Sequence, residues 1–290
     1  MASHQELKAR AAATYNAAAD WYDAPENAFW GRFGARTVAR LGLEPGMRVL
    51  DVCAGSGASA IPAAEAVGPS GEVVAIDIAE ELLRHLRAKA EARGLAQLRV
   101  QPGDLLDLPA PASSFDAVIC VFGIFFAADM TRAVAELWKR VAPGGRLAIT
   151  TWGPHLFEPA NTQFWDAVRA ERPDLYKQFN PWGAVTDPDA LGALLRSAGV
   201  TNSAIVAEAG SHVLESPSAW WALVMGSGYR GTLEQLTPAA QARVRTHNLR
   251  YVADQNVSQV EVNVVYSISM KGGSIEPLAG NRRERTWPST

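Results

Sequence analysis

The stretch Val49-Leu50-Asp51-Val52-Cys53-Ala54-Gly55-Ser56-Gly57-Ala58-Ser59-Ala60 constrains the fold more than any other part of the chain. A β-branched run leads into a glycine-rich turn, and the turn leads into an alanine-rich helical pattern. Glycines let a backbone turn tightly and approach a ligand closely. A helix starting just behind such a turn presents unsatisfied N–H groups. A plain strand-to-helix turn reads the same way, so the neighbouring pattern has to decide. Strands are predicted at Arg48–Val52, Glu72–Asp77, Leu98–Gln101, Phe115–Phe122 and Arg146–Thr151. Between them lie helical patterns at Ala58–Val67, Glu80–Arg93 and Thr131–Val141, with Pro143-Gly144-Gly145 read as a turn. Strands alternating with helices predict parallel βαβ units with helices on both faces of one sheet.

Composition narrows the function. The 290 residues carry 27 Lys plus Arg against 30 Asp plus Glu, a net charge of −3. That balance gives no support for nucleic-acid binding, which needs clustered positive charge. Two cysteines, Cys53 and Cys120, make neither a disulfide framework nor a zinc site. No metal is therefore expected, and a reducing cytoplasm is the expected location. The N-terminus lacks a basic region followed by an apolar one, and the apolar run 117–128 is too short to span a bilayer.

Asp77 ends the second predicted strand, twenty residues beyond Gly57. A carboxylate there can accept hydrogen bonds from both ribose hydroxyls of an adenosine, although an Asp capping the next helix would look alike. The glycine spacing and Asp77 also satisfy a dinucleotide fingerprint, so a nicotinamide-dependent oxidoreductase competes. Asp51 argues against that rival. A carboxylate beside the turn would repel a pyrophosphate, yet it would attract an ammonium. S-adenosylmethionine offers both an adenosine ribose and an ammonium. A catalytic Tyr-x-x-x-Lys, which would favour the oxidoreductase, does not follow the fourth strand.

With Val49–Gly57, Val73–Ile78, Gly103–Pro109, Ser114–Phe122 and Val141–Ile149 in this order, the chain resembles the class I S-adenosylmethionine-dependent methyltransferases. Within them it resembles the branch of small-molecule enzymes like those of ubiquinone and menaquinone biosynthesis. The resemblance covers roughly the first two thirds of the chain. It implies an α/β, doubly wound, seven-stranded, mostly parallel sheet of Rossmann-like type, with an antiparallel last strand at Val260–Met270. The implied organisation is a helical cap over 1–45 and a methyltransferase domain over 46–270. Acceptor-binding lids fall at about 152–186 and 214–258, the latter a helical insertion before the last strand, and 271–290 is read as a disordered tail.

The resemblance also assigns the cofactor site. Asp51, Cys53, Ala54, Gly55 and Gly57 would cradle the methionine end of S-adenosylmethionine. Asp77 would hold the ribose, and Ile78 would pack on adenine. Gly103, Asp104 and Leu105 would hold the adenine edge and face. Cys120, Val121 and Phe122 would line the approach to sulfur, and Tyr22 would contact the cofactor from the leading helix. One departure is Cys53, which stands where the broader family often has the first glycine of the loop. That puts the local backbone geometry in question rather than the cofactor.

Methyl transfer by in-line attack needs alignment and exclusion of water, with a base only for a protonated nucleophile. His155 follows the fifth strand and is the positional candidate for that base, with Glu158, Glu171 and His247 behind it. His4 and His85 are read as solvated. Nine Trp is high for this length. Phe126, Trp152, Phe157, Trp165, Trp182, Trp221, Met225 and Tyr229 are the candidate acceptor contacts. Core packing would use many of the same aromatics. An aromatic-rich pocket suits a quinol, a natural product or an isoprenoid-like acceptor. The expected partners are that small molecule, its methylation leaving S-adenosylhomocysteine, and at most a second copy of the chain. A cofactor-binding protein without chemistry of its own is the remaining alternative.

Overall fold

The five strands expected between Met47 and Thr151 form, in one sheet. The structure is a computed structural model and describes residues 4–177, 180–273 and 275. The strands are β1 (Arg48–Val52), β2 (Glu72–Asp77), β3 (Leu98–Pro102), β4 (Phe115–Val121) and β5 (Val141–Trp152). Each pairs in parallel with its neighbour, and β6 (Ser203–Glu208) and β9 (Val264–Met270) complete the order β3-β2-β1-β4-β5-β9-β6. Only β9 runs antiparallel, against both β5 and β6. Val118, Ile119 and Cys120 in the central strand are fully buried, as a parallel sheet covered on both faces requires.

Three details differ from expectation. Pro143-Gly144-Gly145 is not a turn ahead of β5 but an excursion within it. Phe115 pairs with Val141 and Ala117 with Arg146, so residues 142–145 bulge opposite Asp116. The stretch Ala204–Val213, whose apolar and β-branched residues predict a single strand, and the expected strand Val260–Met270 each break in two. Their outer pieces, β7 (Ser211–Val213) and β8 (Gln259–Glu261), form a separate ribbon. Buried Asn263 occupies the break: its Oδ1 accepts from the Gly210 N–H at 3.1 Å, and its Nδ2 donates to the Pro154 carbonyl at 2.9 Å. A side-chain amide thus replaces ladder bonds that neither half-strand makes.

Helices α3 (Ala60–Val67) and α4 (Glu80–Ala92) follow β1 and β2, and α5 (Met130–Arg140) precedes β5. Two helices come before the sheet, α1 (His4–Tyr22) and α2 (Phe29–Leu41). Helix α2 packs on α3 and β5, while α1 lies against α4 and the late helices α8 (Pro217–Met225) and α9 (Arg230–Leu233). The remaining helices are α6 (Ala160–Glu171), α7 (Pro188–Ser197) and α10 (Pro238–Asp254). The expected insertion over 220–256 is therefore three helices, not one run. The expectation for the tail falls outside the described residues beyond Gly273, apart from Ile275, and so does Phe179. Among the described residues no helix is long and apolar enough to cross a membrane. No cluster of three metal-ligating side chains occurs among them either.

Candidate active site

The parallel strands end at one edge of the sheet, where open α/β sheets bind ligands. A cavity of about 770 Å³ opens there. Its sheet side is made by Val52, Cys53 and Gly55 after β1, Asp77 and Ile78 after β2, Gly103–Leu105 after β3, and Val121 and Phe122 at the end of β4. The loop after β1 is held in shape from β2. Asp77 Oδ2 accepts from the Gly55 N–H at 2.8 Å, and its Oδ1 accepts from the Ala79 N–H at 2.8 Å. Burial pushes the Asp77 carboxyl up, and the Ala79, Gly55 and Ile78 N–H groups oppose that shift. Cys53 sits at φ 61°, a left-handed conformation that a side chain makes unfavourable by about 1–2 kcal/mol. The departure noted in the sequence thus falls where a glycine would be unstrained. A hydrogen bond with Cys120 and burial push the Cys53 thiol well up, so it stays protonated.

Helix α1 closes the cavity. His4, Lys8, Ala11, Tyr15 and Tyr22 all face it, at the three-, four- and seven-residue spacing of one helix face. Polar latches tie this lid down along its length. His4 Nε2 and Lys8 Nζ meet Asp104 Oδ2 at 3.0 and 2.9 Å. Asn16 Oδ1 accepts from the Glu81 N–H at 3.0 Å. Just past α1, Asp23 Oδ1 accepts from Ser56 Oγ and Lys89 Nζ, both at 2.6 Å, and its Oδ2 lies 3.3 Å from His85 Nδ1. Burial raises the Asp104 carboxyl, but the Leu106 N–H, Lys8 and His4 together outweigh it and hold the group below its ordinary value. His4 and His85, read from sequence as solvated, both belong to these latches.

A second, much smaller recess adjoins the first and shares Tyr15 and Trp30 with it. Trp152, Leu156, Phe157, Trp182, Ser227, Gly228 and Tyr229 complete its wall. Aromatic rings fix one another around it: Phe122 stacks on Trp152 at 3.8 Å, and Tyr22 stacks on Trp30 at 5.0 Å. Phe157 lies 5.8 Å from Trp152 and 6.0 Å from Tyr229. Trp30 is 7% exposed, and its Nε1–H is buried without a hydrogen-bond partner. Such a donor is costly unless something accepts from it. Burial raises the phenols of Tyr15 and Tyr229, so both stay protonated at neutral pH.

A sequence profile described as a methyltransferase domain matches residues 49–145. The nocamycin O-methyltransferase of Saccharothrix syringae is 31% identical over 280 residues, covering 89% of this chain and 96% of that protein. The chain belongs to the class I S-adenosylmethionine-dependent methyltransferases. The demethylmenaquinone methyltransferase of Geobacillus kaustophilus is 39% identical over 119 residues, 41% of this chain and about half (51%) of that enzyme. Among solved structures, the YcgJ protein of Bacillus subtilis shares the fold with a TM-score of 0.55 at 18% identity, over 84% of this chain and 100% of that one. None of these similarities favours the oxidoreductase alternative.

The methyltransferase brings ten of the expected cofactor residues to one cavity: Tyr22, Cys53, Gly55, Asp77, Ile78, Gly103, Asp104, Leu105, Val121 and Phe122. Asp51, Ala54, Gly57 and Cys120 do not line it. Gly57 is needed for packing instead, since a Cβ there would lie 2.4 Å from Leu86 Cδ1. Cys120 is fully enclosed in β4. Asp51 is buried behind the loop; its Oδ2 accepts from Ser59 Oγ at 2.8 Å, and its Oδ1 has no partner. Burial pushes its carboxyl up to about 7. A cationic ligand end at the loop would answer that orphaned oxygen, and two further carboxylates face the cavity at Asp77 and Asp104. The donor set therefore fits S-adenosylmethionine.

On the acceptor side the expectations divide. Trp152, Phe157, Trp182 and Tyr229 line the recess, and Phe126 lines the larger cavity. Trp165 instead packs between Phe164 and Tyr229, at 5.2 and 5.8 Å. Trp221 packs against the core, and Met225 Sδ accepts from Arg230 Nη1 at 3.0 Å. The candidate bases are corrected. His155 is exposed at φ 58° and lines neither chamber. Glu158 spends both carboxylate oxygens on Asn161 and Thr162. Glu171 pairs with Arg243 at the surface, and exposed His247 lies 3.4 Å from Gln163 Oε1. Missed from sequence were His4, Lys8, Tyr15, Trp30 and Leu156. The first three share the spacing of a single α1 face with Tyr22, and that spacing was the available signal.

Proposed function

We propose that this methyltransferase binds S-adenosylmethionine in the larger cavity and methylates an apolar or aromatic small molecule held in the recess. The observation that carries this reading is the shared wall: Tyr15 and Trp30 border both chambers, so a ligand in each would meet there. When bound, S-adenosylmethionine supplies a sulfonium-activated methyl group and a neutral thioether leaving group. Asp77 would hold the ribose hydroxyls, Asp104 the adenine edge, and Ile78 and Leu105 the adenine faces. Asp51 would favour the ammonium from behind the loop. Helix α1 would act as the lid that keeps water out, which strengthens each of these polar contacts.

Among the described residues lining the recess, the ionisable side chains are the protonated phenols Tyr15 and Tyr229. Neither serves as a base near neutral pH. The acceptor would therefore bring a nucleophile that ionises on its own, such as an acidic phenol, an enol or a carboxylic acid. The unpartnered Nε1–H of Trp30 would donate to that oxygen and orient it. The relative named as a nocamycin O-methyltransferase matches along 89% of this chain, acceptor side included. A natural-product oxygen is accordingly favoured over the quinol suggested by the shorter menaquinone match.

Calorimetric titration with S-adenosylhomocysteine, with NADH in parallel, tests the cofactor half. Micromolar binding of the former alone is expected; binding of NADH alone would overturn the reading. Mass spectrometry of acidic phenols and enols incubated with S-adenosylmethionine tests the acceptor half. Methylation confined to alcohols of ordinary acidity would contradict it.

A further inference from the structure

Helix α2 carries Arg32, Arg36 and Arg40 at four-residue steps, beside the face that bears Trp30 and Phe33. The three side chains line a separate cavity of about 690 Å³ between α2, the end of β6 and the turn at Ala209–Ser211. It shares no lining residue with either chamber of the active site. Glu208 is the only carboxylate on its wall, and it is already divided. Arg36 Nη1 pairs with Glu208 Oε1, and Arg40 Nη2 meets Oε2 at 2.9 Å. Arg32 reaches the Ser211 carbonyl alone, at 3.4 Å from each terminal nitrogen. Two positive charges remain uncompensated in a concave, partly desolvated place.

Behind that wall, out of reach of a ligand in the cavity, two further polar atoms lack partners. Arg40 Nε is buried without an acceptor, and the hydroxyl of fully buried Tyr266, whose ring lies 4.1 Å beneath the Arg40 guanidinium, has none either. Burial lowers the Arg40 and Arg32 guanidinium groups, and the neighbouring Arg36 lowers both further. Arg32 is exposed and Arg36 and Arg40 are half-buried, so like charges crowd one wall at partial screening, and an opposite charge joining them is favourable. Guanidinium forks match the paired oxygens of tetrahedral oxyanions. We propose that this cavity is a binding site for a phosphate-type oxyanion, either free or as the phosphoryl group of a small molecule. It is independent of the methyl-transfer reading. A bound anion would draw α2 towards β6 and so brace the helix that carries Trp30.

The test is calorimetry and thermal unfolding of the full chain with inorganic phosphate, pyrophosphate and phenyl phosphate, each against chloride at equal ionic strength. At least one phosphate probe is expected to bind with a dissociation constant below about 1 mM and to raise Tm beyond chloride. Binding of inorganic phosphate assigns the free anion; binding of phenyl phosphate alone assigns a monoester. Arg32→Gln is expected to weaken the probe about tenfold. Glu208→Gln, which removes the competing carboxylate, is expected to tighten it about threefold or more. Cooperative unfolding in chloride shows that each variant folds. Stabilisation no greater than with chloride, or equal affinity in wild type and both variants, would overturn the proposal.

Discussion

The larger cavity is walled mainly by loops at the carboxyl edge of β1 to β4 and carries two carboxylates. The recess beside it is walled by rings drawn from α1, α2, the end of β5 and segments near 182 and 228. The first carries its carboxylates where backbone turns tightly; the second has no charged side chain on its wall, and its rings pin one another. A ligand common to a whole family needs fixed carboxylates at fixed strand ends. An acceptor that varies between enzymes needs shape, which side chains on separate elements can change independently.

Substitutions can break or sharpen that contrast. Asp77→Asn is expected to have the largest effect, because it removes charge-assisted ribose bonds and weakens the Gly55 anchor. Affinity for S-adenosylhomocysteine should fall by more than about tenfold in calorimetry; unchanged affinity would refute the ribose assignment. Asp51 comes next. Its carboxyl, held near about 7, must ionise to attract an ammonium. Affinity should therefore level off only above about pH 8 and fall by up to about tenfold from that plateau on going to pH 6. Asp51→Asn should remove that pH dependence. The same group opposes folding as it ionises: stability it contributes at acid pH is lost as pH rises through about 7. Asp51→Asn should thus raise Tm at pH 8 while weakening cofactor binding.

Trp30→Phe tests the wall that the two chambers share, by removing the indole N–H proposed to serve the recess. Loss of one hydrogen bond to an ionised oxygen, about 1.5 kcal/mol at the lower end, predicts a roughly tenfold lower kcat/KM with cofactor affinity little changed. An equal loss in both would merge the two chambers into one site. Lys8→Ala removes one half-exposed latch on Asp104, about 0.5–1 kcal/mol. Stopped-flow release of S-adenosylhomocysteine should quicken by about two- to fivefold. His155→Ala should leave activity within error, since the side chain faces solvent; a large drop in kcat would return it to the reaction.

The halves of the chain differ in how far they could be read. Strands β1 and β2 end where the residue pattern placed them, and Asp77 and Asp104 face the cavity as expected. Local rules suffice there, because a βα turn is made by neighbours in sequence. Asp51 lies in β1 and Gly57 in the loop behind it, yet neither lines the cavity: Ser59, just ahead of α3, holds Asp51 Oδ2, and Leu86 of α4 packs against Gly57. The acceptor side offered only abundance of aromatics. Trp165 and Trp152 are alike in composition and hydropathy, yet one fills core and the other lines a recess. His155 failed for the same reason: its position in sequence places it at the correct edge, and its backbone turns it outward.

The sequence by itself determined the sheet, its βα order, the loop after β1 and the carboxylates at its edge. Each depends on interactions over a few residues and on the two-residue and 3.6-residue periods of strand and helix. The tertiary structure alone decided that α1 is latched across Asp104 and that Tyr15 and Trp30 join two chambers. It also decided that two arginines of α2 meet one glutamate of β6. Those facts join residues as far apart as Arg40 and Glu208, and no local periodicity records which faces will meet once the core has packed.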